Sequence, residues 1–195
     1  ILGDIAGSRF EFSKPEGFNH KTVELFSGLC RYTDDTVLTV ATKYAVLRNL
    51  PYHVAYGNFG RSYLKAGYGN LSRNWVMAHS SKGYNSYGNG SAMRVSFIGE
   101  YYDTLEKVEE EAEQSSLCTH NHIEGIKAAK AVAGSIFLAR NGASKNDILK
   151  YNKDRYGYTV SKPLWAYRPF SKFDSRAEVS IPLALRCFFE SDNWE

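Results

Sequence analysis

Apolar residues recur at helical spacing along most of this chain. After Asp34 the run Val37, Val40, Ala41, Tyr44 and Ala45 predicts an amphipathic helix that ends near Asn49, with Pro51 stopping it. A second helix is predicted from about Pro51 to Leu64, with proline at the permitted first turn. A third starts at Asp103, placing Leu105, Val108 and Ala112 on one face and Glu106, Glu109 and Glu110 outward. A fourth, rich in alanine, begins near Asn121 and runs to Arg140. Its small residues let neighbouring helices approach closely, which predicts a central position. A fifth opens at Ser144, with Asp147 three residues on in the manner of a capping box. The last opens at Ser180 and carries Pro182 in its first turn.

The pattern breaks between Gly67 and Gly99. That stretch is rich in Gly, Ser, Asn and Tyr, shows no sustained period, and reads as an irregular segment of the functional kind. Period-two alternation is scarce. The fold class is therefore mainly α, and 195 residues suit one well-buried domain.

Composition narrows the partners. Hydrophobic residues make up 43% and charged residues 23%, the balance of a globular protein, and the net charge of +3 is dispersed. No Lys/Arg block argues for nucleic acid. No apolar stretch approaches membrane-spanning length, and no signal peptide is visible. Cys30, Cys118 and Cys187 are widely spaced with no CxxC, which predicts buried thiols in a reducing, cytoplasmic location.

The densest chemistry is Arg31-Tyr32-Thr33-Asp34-Asp35-Thr36, at the start of the first long helix. Thr or Asp can cap the free backbone donors there, and the helix dipole favours the acids. Consecutive helical residues point about 100° apart, so Thr33, Asp34 and Asp35 converge only if Thr33 is still extended at the N-cap. Two readings stay open: an ordinary cap with acids in the first turn, or oxygen ligands for a hard cation such as magnesium or manganese.

Three weaker motifs accompany it. Gly3-Asp4-Ile5-Ala6-Gly7-Ser8, followed by Glu11, implies a close backbone approach, an unusual turn or a tight helix contact. Gly88-Asn89-Gly90-Ser91-Ala92-Met93-Arg94 offers exposed backbone N–H groups that can cradle phosphate oxygens, or forms a simple turn. It lacks the Walker A ending and the third glycine of the dinucleotide fingerprint. In Cys118-Thr119-His120-Asn121-His122 the two histidines cannot share a helix face; Thr119 or Asn121 serves as a cap, or His120 meets a phosphate or sugar.

These four segments, in this order and approximate spacing, resemble the ADP-ribosylglycohydrolases, the family that includes the dinitrogenase-reductase activating glycohydrolase. The resemblance covers almost the whole chain. It implies a compact all-α bundle that hydrolyses the glycosidic bond of ADP-ribose linked to protein side chains or small ADP-ribosyl compounds, with two magnesium or manganese ions in the cleft. Carried over, Thr33, Asp34 and Asp35 match metal ligands, and Asp34 and Asp35 share the catalytic role with Glu11, which matches the acid near the scissile bond. Gly88, Asn89, Gly90, Ser91, Ala92 and Met93 match the loop holding the diphosphate or distal ribose. Thr119 and His120 match a segment lining the cleft, and Tyr87 or Phe97 offers a stacking face for adenine.

The family also carries a late Gly-Gly-Asp-(Ser/Thr)-Asp-Thr segment that completes its metal site, and no such segment occurs in these 195 residues. Three expectations compete. The chain is a fragment truncated at its C-terminus, it is a non-catalytic relative that binds ADP-ribose or serves an interaction role, or another acid such as Asp174 substitutes. A missing layer also predicts exposed apolar surface and self-association. A nucleic-acid module and a phosphoryl-transfer enzyme find no supporting motif.

Overall fold

The structure, a computed structural model, describes residues 1–12, 16–19, 22–159, 161–167 and 173–193. The chain divides into two compact units, Ile1–Ser80 and Ser81–Glu195. Among the described residues there is no strand, only an isolated antiparallel bridge between Gly88 and Arg176. No helix among them is long and apolar enough to cross a membrane.

Unit 1 holds α1 (Leu2–Gly7), α2 (Asp34–Arg48), α3 (Tyr52–Ser62) and α4 (Asn70–Met77). Thr33 is the N-cap of α2, with extended backbone at φ −118° and ψ −169°, and Asn49 ends the helix in the left-handed region at φ 49°. The face that α2 buries is Val37, Leu38, Ala41, Thr42 and Ala45. Val40 and Tyr44, expected on that face, are 40% and 43% exposed, and with Leu47 they form an apolar strip on the outside. The core face turns toward α3, where Thr42 Oγ1 meets the Tyr56 hydroxyl at 3.0 Å. α3 is one turn shorter than expected, and Pro51 precedes it as N-cap. The glycines flanking Asp4 make neither an unusual turn nor a close approach; both lie in α1 with open space at their α-carbons.

Part of the segment read as irregular is helical. α4 buries Trp75 and Val76, and α5 (Ser96–Tyr101) buries Ile98 and Gly99. Polar and glycine-rich composition hid two short helices whose stability comes from packing rather than propensity.

Unit 2 holds α5, α6 (Leu105–Leu117), α7 (Ile123–Arg140), α8 (Lys145–Tyr156), α9 (Leu164–Tyr167) and α10 (Ala177–Glu190). α7 is central: it packs against α5, α6, α8 and α10 through buried Gly125, Ala128, Ala129, Ala131, Ala133 and Gly134. A side chain at Gly134 would overlap the Tyr151 hydroxyl, so the α7–α8 contact requires glycine. The cap of α7 is His122, whose Nδ1 accepts from Glu124 N at 3.2 Å, rather than Thr119 or Asn121. Asn121 instead accepts the Asn85 amide at 2.7 Å. The predicted capping box of Ser144 and Asp147 opens α8. α10 begins one turn earlier than expected, so Pro182 lies inside it and the helix forgoes one backbone bond. Of the thiols, only Cys118 is buried; Cys30 is half-buried and Cys187 exposed.

Glu109, expected outward, is 6% exposed. Its Oε1 accepts from the hydroxyls of Tyr151 (2.7 Å) and Tyr156 (2.9 Å), and its Oε2 accepts from Arg155 at 2.8 Å. The carboxylate is fully satisfied and ties α6 to α8. Glu109→Gln removes the charge and points an amide donor at groups that are themselves donors. It should cost about 2 kcal/mol. Thermal unfolding by circular dichroism should show the melting temperature roughly 4–8 °C lower.

Candidate functional site

The acids of unit 1 gather at the start of α2. Asp4, from α1, accepts four hydrogen bonds there: Thr33 N at 2.9 Å, Thr33 Oγ1 at 2.7 Å, Thr36 N at 3.2 Å and Thr36 Oγ1 at 2.6 Å. Sequence reading gave Asp4 no role in a site. The signal was its place in the first motif, but its partners lie 29 and 32 residues away. With Thr33 pinned in the extended region, its Oγ1 accepts from the Asp35 amide and donates toward Asp4 and Asp35. The structure thus brings Thr33, Asp34 and Asp35 together, as the one-extended-residue argument requires.

Four carboxylates then share one neighbourhood. Burial, reinforced by the negative charges of Asp35, Glu11 and Asp4, pushes the Asp34 carboxyl up to about 7. Burial and the Asp4 charge also raise Asp35, against the lowering effect of its bond with Thr33. Glu11 is raised by desolvation and by the charges of Asp35 and Asp4. Such crowding is the donor chemistry of a hard-cation site, because a divalent ion converts the repulsion into attraction. Among the described residues, however, no three His, Cys, Asp or Glu side chains converge closely enough to hold an ion by themselves. Asp4 and the Thr33 hydroxyl are already committed to the cap, so Asp34 and Asp35 carry the carboxylate oxygens nearest the start of α2 that a cation could use.

The same unit contains a cleft of about 790 Å³. It is lined by Ile5 and Tyr32, the chain neighbours of Asp4 and Thr33, with Cys30, Arg31, Tyr63 and Ala66. That volume suits a small-molecule ligand.

In unit 2, Gly88 to Met93 form a pinned turn around the 3-10 segment Asn89–Ser91. Gly88 N donates to Ser86 Oγ at 3.2 Å, Asn89 N to Ser175 O at 2.8 Å, and both Ala92 N and Met93 N to Asn89 O. Ser91 Oγ donates to Gly125 O at 2.7 Å. Four of the amides expected to cradle phosphate are therefore used within the unit, and Gly90 and Ser91 retain the amides that a 3-10 start leaves without an intrahelical partner.

Thr119 and His120 lie beneath this turn, 3% and 4% exposed. Arg94, itself 1% exposed, donates to Thr119 Oγ1 at 2.7 Å and Ser115 O at 2.9 Å. Thr119 Oγ1 lies 2.9 Å from His120 Nδ1. The Thr119 hydroxyl thus bridges the Arg94 guanidinium and the His120 ring. Nε2 sits against the α-carbons of Gly90 and Gly88; a Cβ on Gly90 would come within 2.7 Å of it. Burial first, and the Arg94 charge second, hold His120 down at about 3, so it is neutral. Of the aromatics, Phe97 stacks on Tyr101 at 5.3 Å, and Tyr87 meets His122 edge-on at 5.7 Å with about half its surface exposed. Asp174 is engaged by Arg176, with Nε at 3.1 Å and Nη2 at 2.7 Å.

A family model described as ADP-ribosylglycohydrolase matches residues 1–180. No curated protein matches the chain.

Two outcomes follow from this geometry. Asp4→Asn cannot accept four donors, so it should loosen the start of α2 and cost about 2 kcal/mol, read by denaturant unfolding. His120 titrates at 6.5 when unfolded and at about 3 when folded. Its contribution to stability is complete above pH 6.5 and is lost as the pH falls toward 3, at up to about 1.4 kcal/mol per pH unit. Urea unfolding between pH 7 and 4 should show this slope, and His120→Gln should flatten it.

Proposed function

The chain belongs to the ADP-ribosylglycohydrolase family, and we propose that it hydrolyses the glycosidic bond joining ADP-ribose to a protein side chain or small acceptor, assisted by magnesium or manganese. The family is a glycohydrolase family and is generally metal-dependent. The observation that carries the finer reading is the carboxylate cluster at α2. Partly buried acids that repel one another are costly to stability and are characteristic of functional sites.

In this reading Thr33, Asp34 and Asp35 hold the cation, with one or two ions served by further oxygens from substrate and water. The ion supplies charge stabilisation and an acidified water when bound. Glu11 is the acid–base residue. Its raised affinity for a proton makes it a better base toward water than an ordinary surface carboxylate, and its negative charge stabilises the oxocarbenium-like centre that forms as the bond breaks. For unit 2 taken by itself, we assign binding of a diphosphate or ribose to the Gly88–Met93 turn, through the Gly90 amide, with neutral His120 and Thr119 as its support. The substrate partner is ADP-ribose on a protein or a small molecule, and the working compartment is the cytoplasm.

A second reading is a relative that binds ADP-ribose without cutting it. The commitment of Asp4 to four capping bonds favours it, because that carboxylate is then unavailable to a metal.

Calorimetric titration with Mn²⁺ separates the two when paired with release of ADP-ribose from an ADP-ribosylated peptide. The hydrolase reading expects saturable binding and turnover. It expects both to be lost in the Asp34→Asn, Asp35→Asn variant, with activity down at least about 100-fold. That variant should melt no lower than the parent, since it removes repulsion. Binding of ADP-ribose without its release would select the non-catalytic reading.

A further inference from the structure

The cleft of unit 1 carries a set of side chains that neither the carboxylate cluster nor the turn of unit 2 uses. Two stretches of chain line it: Cys30, Arg31 and Tyr32 before α2, and the turn from Tyr63 to Ala66 after α3. Both stretches are held in place. Arg31 N donates to Ser8 Oγ at 2.9 Å, and Ala66 N donates to Tyr63 O at 3.0 Å. Tyr32 and Tyr63 join the two, ring edge to ring face, with centroids 6.2 Å apart. The rings are still 51% and 46% exposed, so a ligand in the cleft can reach them.

The charged residues of the lining are all of one sign: Arg31, Arg61 and Lys65, with no acid among them. Arg61 is already engaged. It donates to Asn58 Oδ1 at 2.7 Å and to Val76 O at 3.5 Å, and its charge complements the carboxyl end of α3. Arg31 and Lys65 are exposed, and neither side chain has a hydrogen-bond or ion-pair partner among the described residues.

Uncommitted cations around a concavity focus a positive potential into it. A guanidinium grips phosphate oxygens as a fork, and an ammonium holds them as a point charge. Half-exposed tyrosine rings cover a flat apolar group. A volume of about 790 Å³ has room for both parts of such a ligand. We propose that this cleft binds an aromatic organic phosphate of nucleoside monophosphate size, its phosphate taken by Arg31 and Lys65 and its ring by Tyr32 and Tyr63. The ring pair favours this class over an acidic protein segment, whose carboxylates would use the cations alone. The site needs no metal, and none of the carboxylates at α2 lines it.

The test is calorimetric titration of the chain with AMP, adenosine and inorganic phosphate, with EDTA present so that the metal-assisted reading is not engaged. AMP should bind saturably at one site, and adenosine and phosphate each at least about tenfold more weakly, because each keeps half of the contacts. The Arg31→Gln, Lys65→Gln variant should lose AMP affinity by about tenfold or more at an unchanged melting temperature, since both side chains are exposed. A parent that does not bind AMP overturns the proposal, and so does equal AMP affinity in the variant, which would place the ligand elsewhere. A variant that melts lower as it loses affinity points to a structural role and overturns it as well. A poly-glutamate peptide bound as tightly as AMP, and lost in the same variant, would assign the cations to a protein partner instead. None of these outcomes touches the hydrolase reading, whose test is Mn²⁺ binding and release of ADP-ribose.

Discussion

The Asp4 carboxylate is the constraint on which unit 1 depends. It gathers two backbone amides and two hydroxyls from Thr33 and Thr36, and so fixes where α2 begins. An N-cap must stay extended while its successors coil. Once Thr33 is held at that corner, its side chain leaves in a direction that a continuous helix would not allow, while Asp34 and Asp35 open the first turn. The helix N-terminus offsets part of the cost of collecting negative charge. It does not offset all of it, and the remainder appears as the upward displacement of Asp34, Asp35 and Glu11.

Unit 2 solves the opposite problem around a buried guanidinium. Arg94 reaches a backbone carbonyl and the Thr119 hydroxyl, and through Thr119 it is linked to the His120 ring. The close contact between His120 Nε2 and Gly90 then ties the conformation of the turn to the orientation of the ring. Glycine at position 90 is a packing requirement as much as a source of accessible amides. A turn pinned at Asn89, Ser91 and Ala92 presents its remaining donors with little reorganisation, which is the property an anion-binding loop needs.

What sequence reading recovered was local. The Thr33 cap, the acids of the first turn, the Ser144 box and the small-residue character of α7 each depend on residues within a turn of one another. Four short motifs in order carried the family assignment. What it missed depended on partners far along the chain. The i, i+3 spacing put Glu109 on the outside of α6, but Tyr151, Arg155 and Tyr156 arrive from α8 to satisfy it, and a satisfied carboxylate can be buried. The register of α2 was read one step off for the same reason: Val40 and Tyr44 carry the periodicity, while contact with α3 selects Leu38 and Thr42. α4 was lost because Gly69, Asn70, Ser72 and Asn74 look like loop, whereas Trp75 and Val76 hold the helix through burial. Asp4 fell in a recognised motif, yet its function as a cap for another helix is a tertiary fact.

Unit 1 keeps two arrangements that are costly to stability. Like charges crowd around Asp34, and the Tyr68 hydroxyl of the same unit is buried with no partner among the described residues. Each alone could be tolerated as a local defect. Folding for stability alone would have removed either with one substitution, such as asparagine for the acid or phenylalanine for the tyrosine. Elsewhere the unit is consistent: its long helix is capped, Thr42 is bonded, and Gly60 admits Val76. Sound capping and packing around a costly cluster of like charges is the pattern of a place selected for something other than stability.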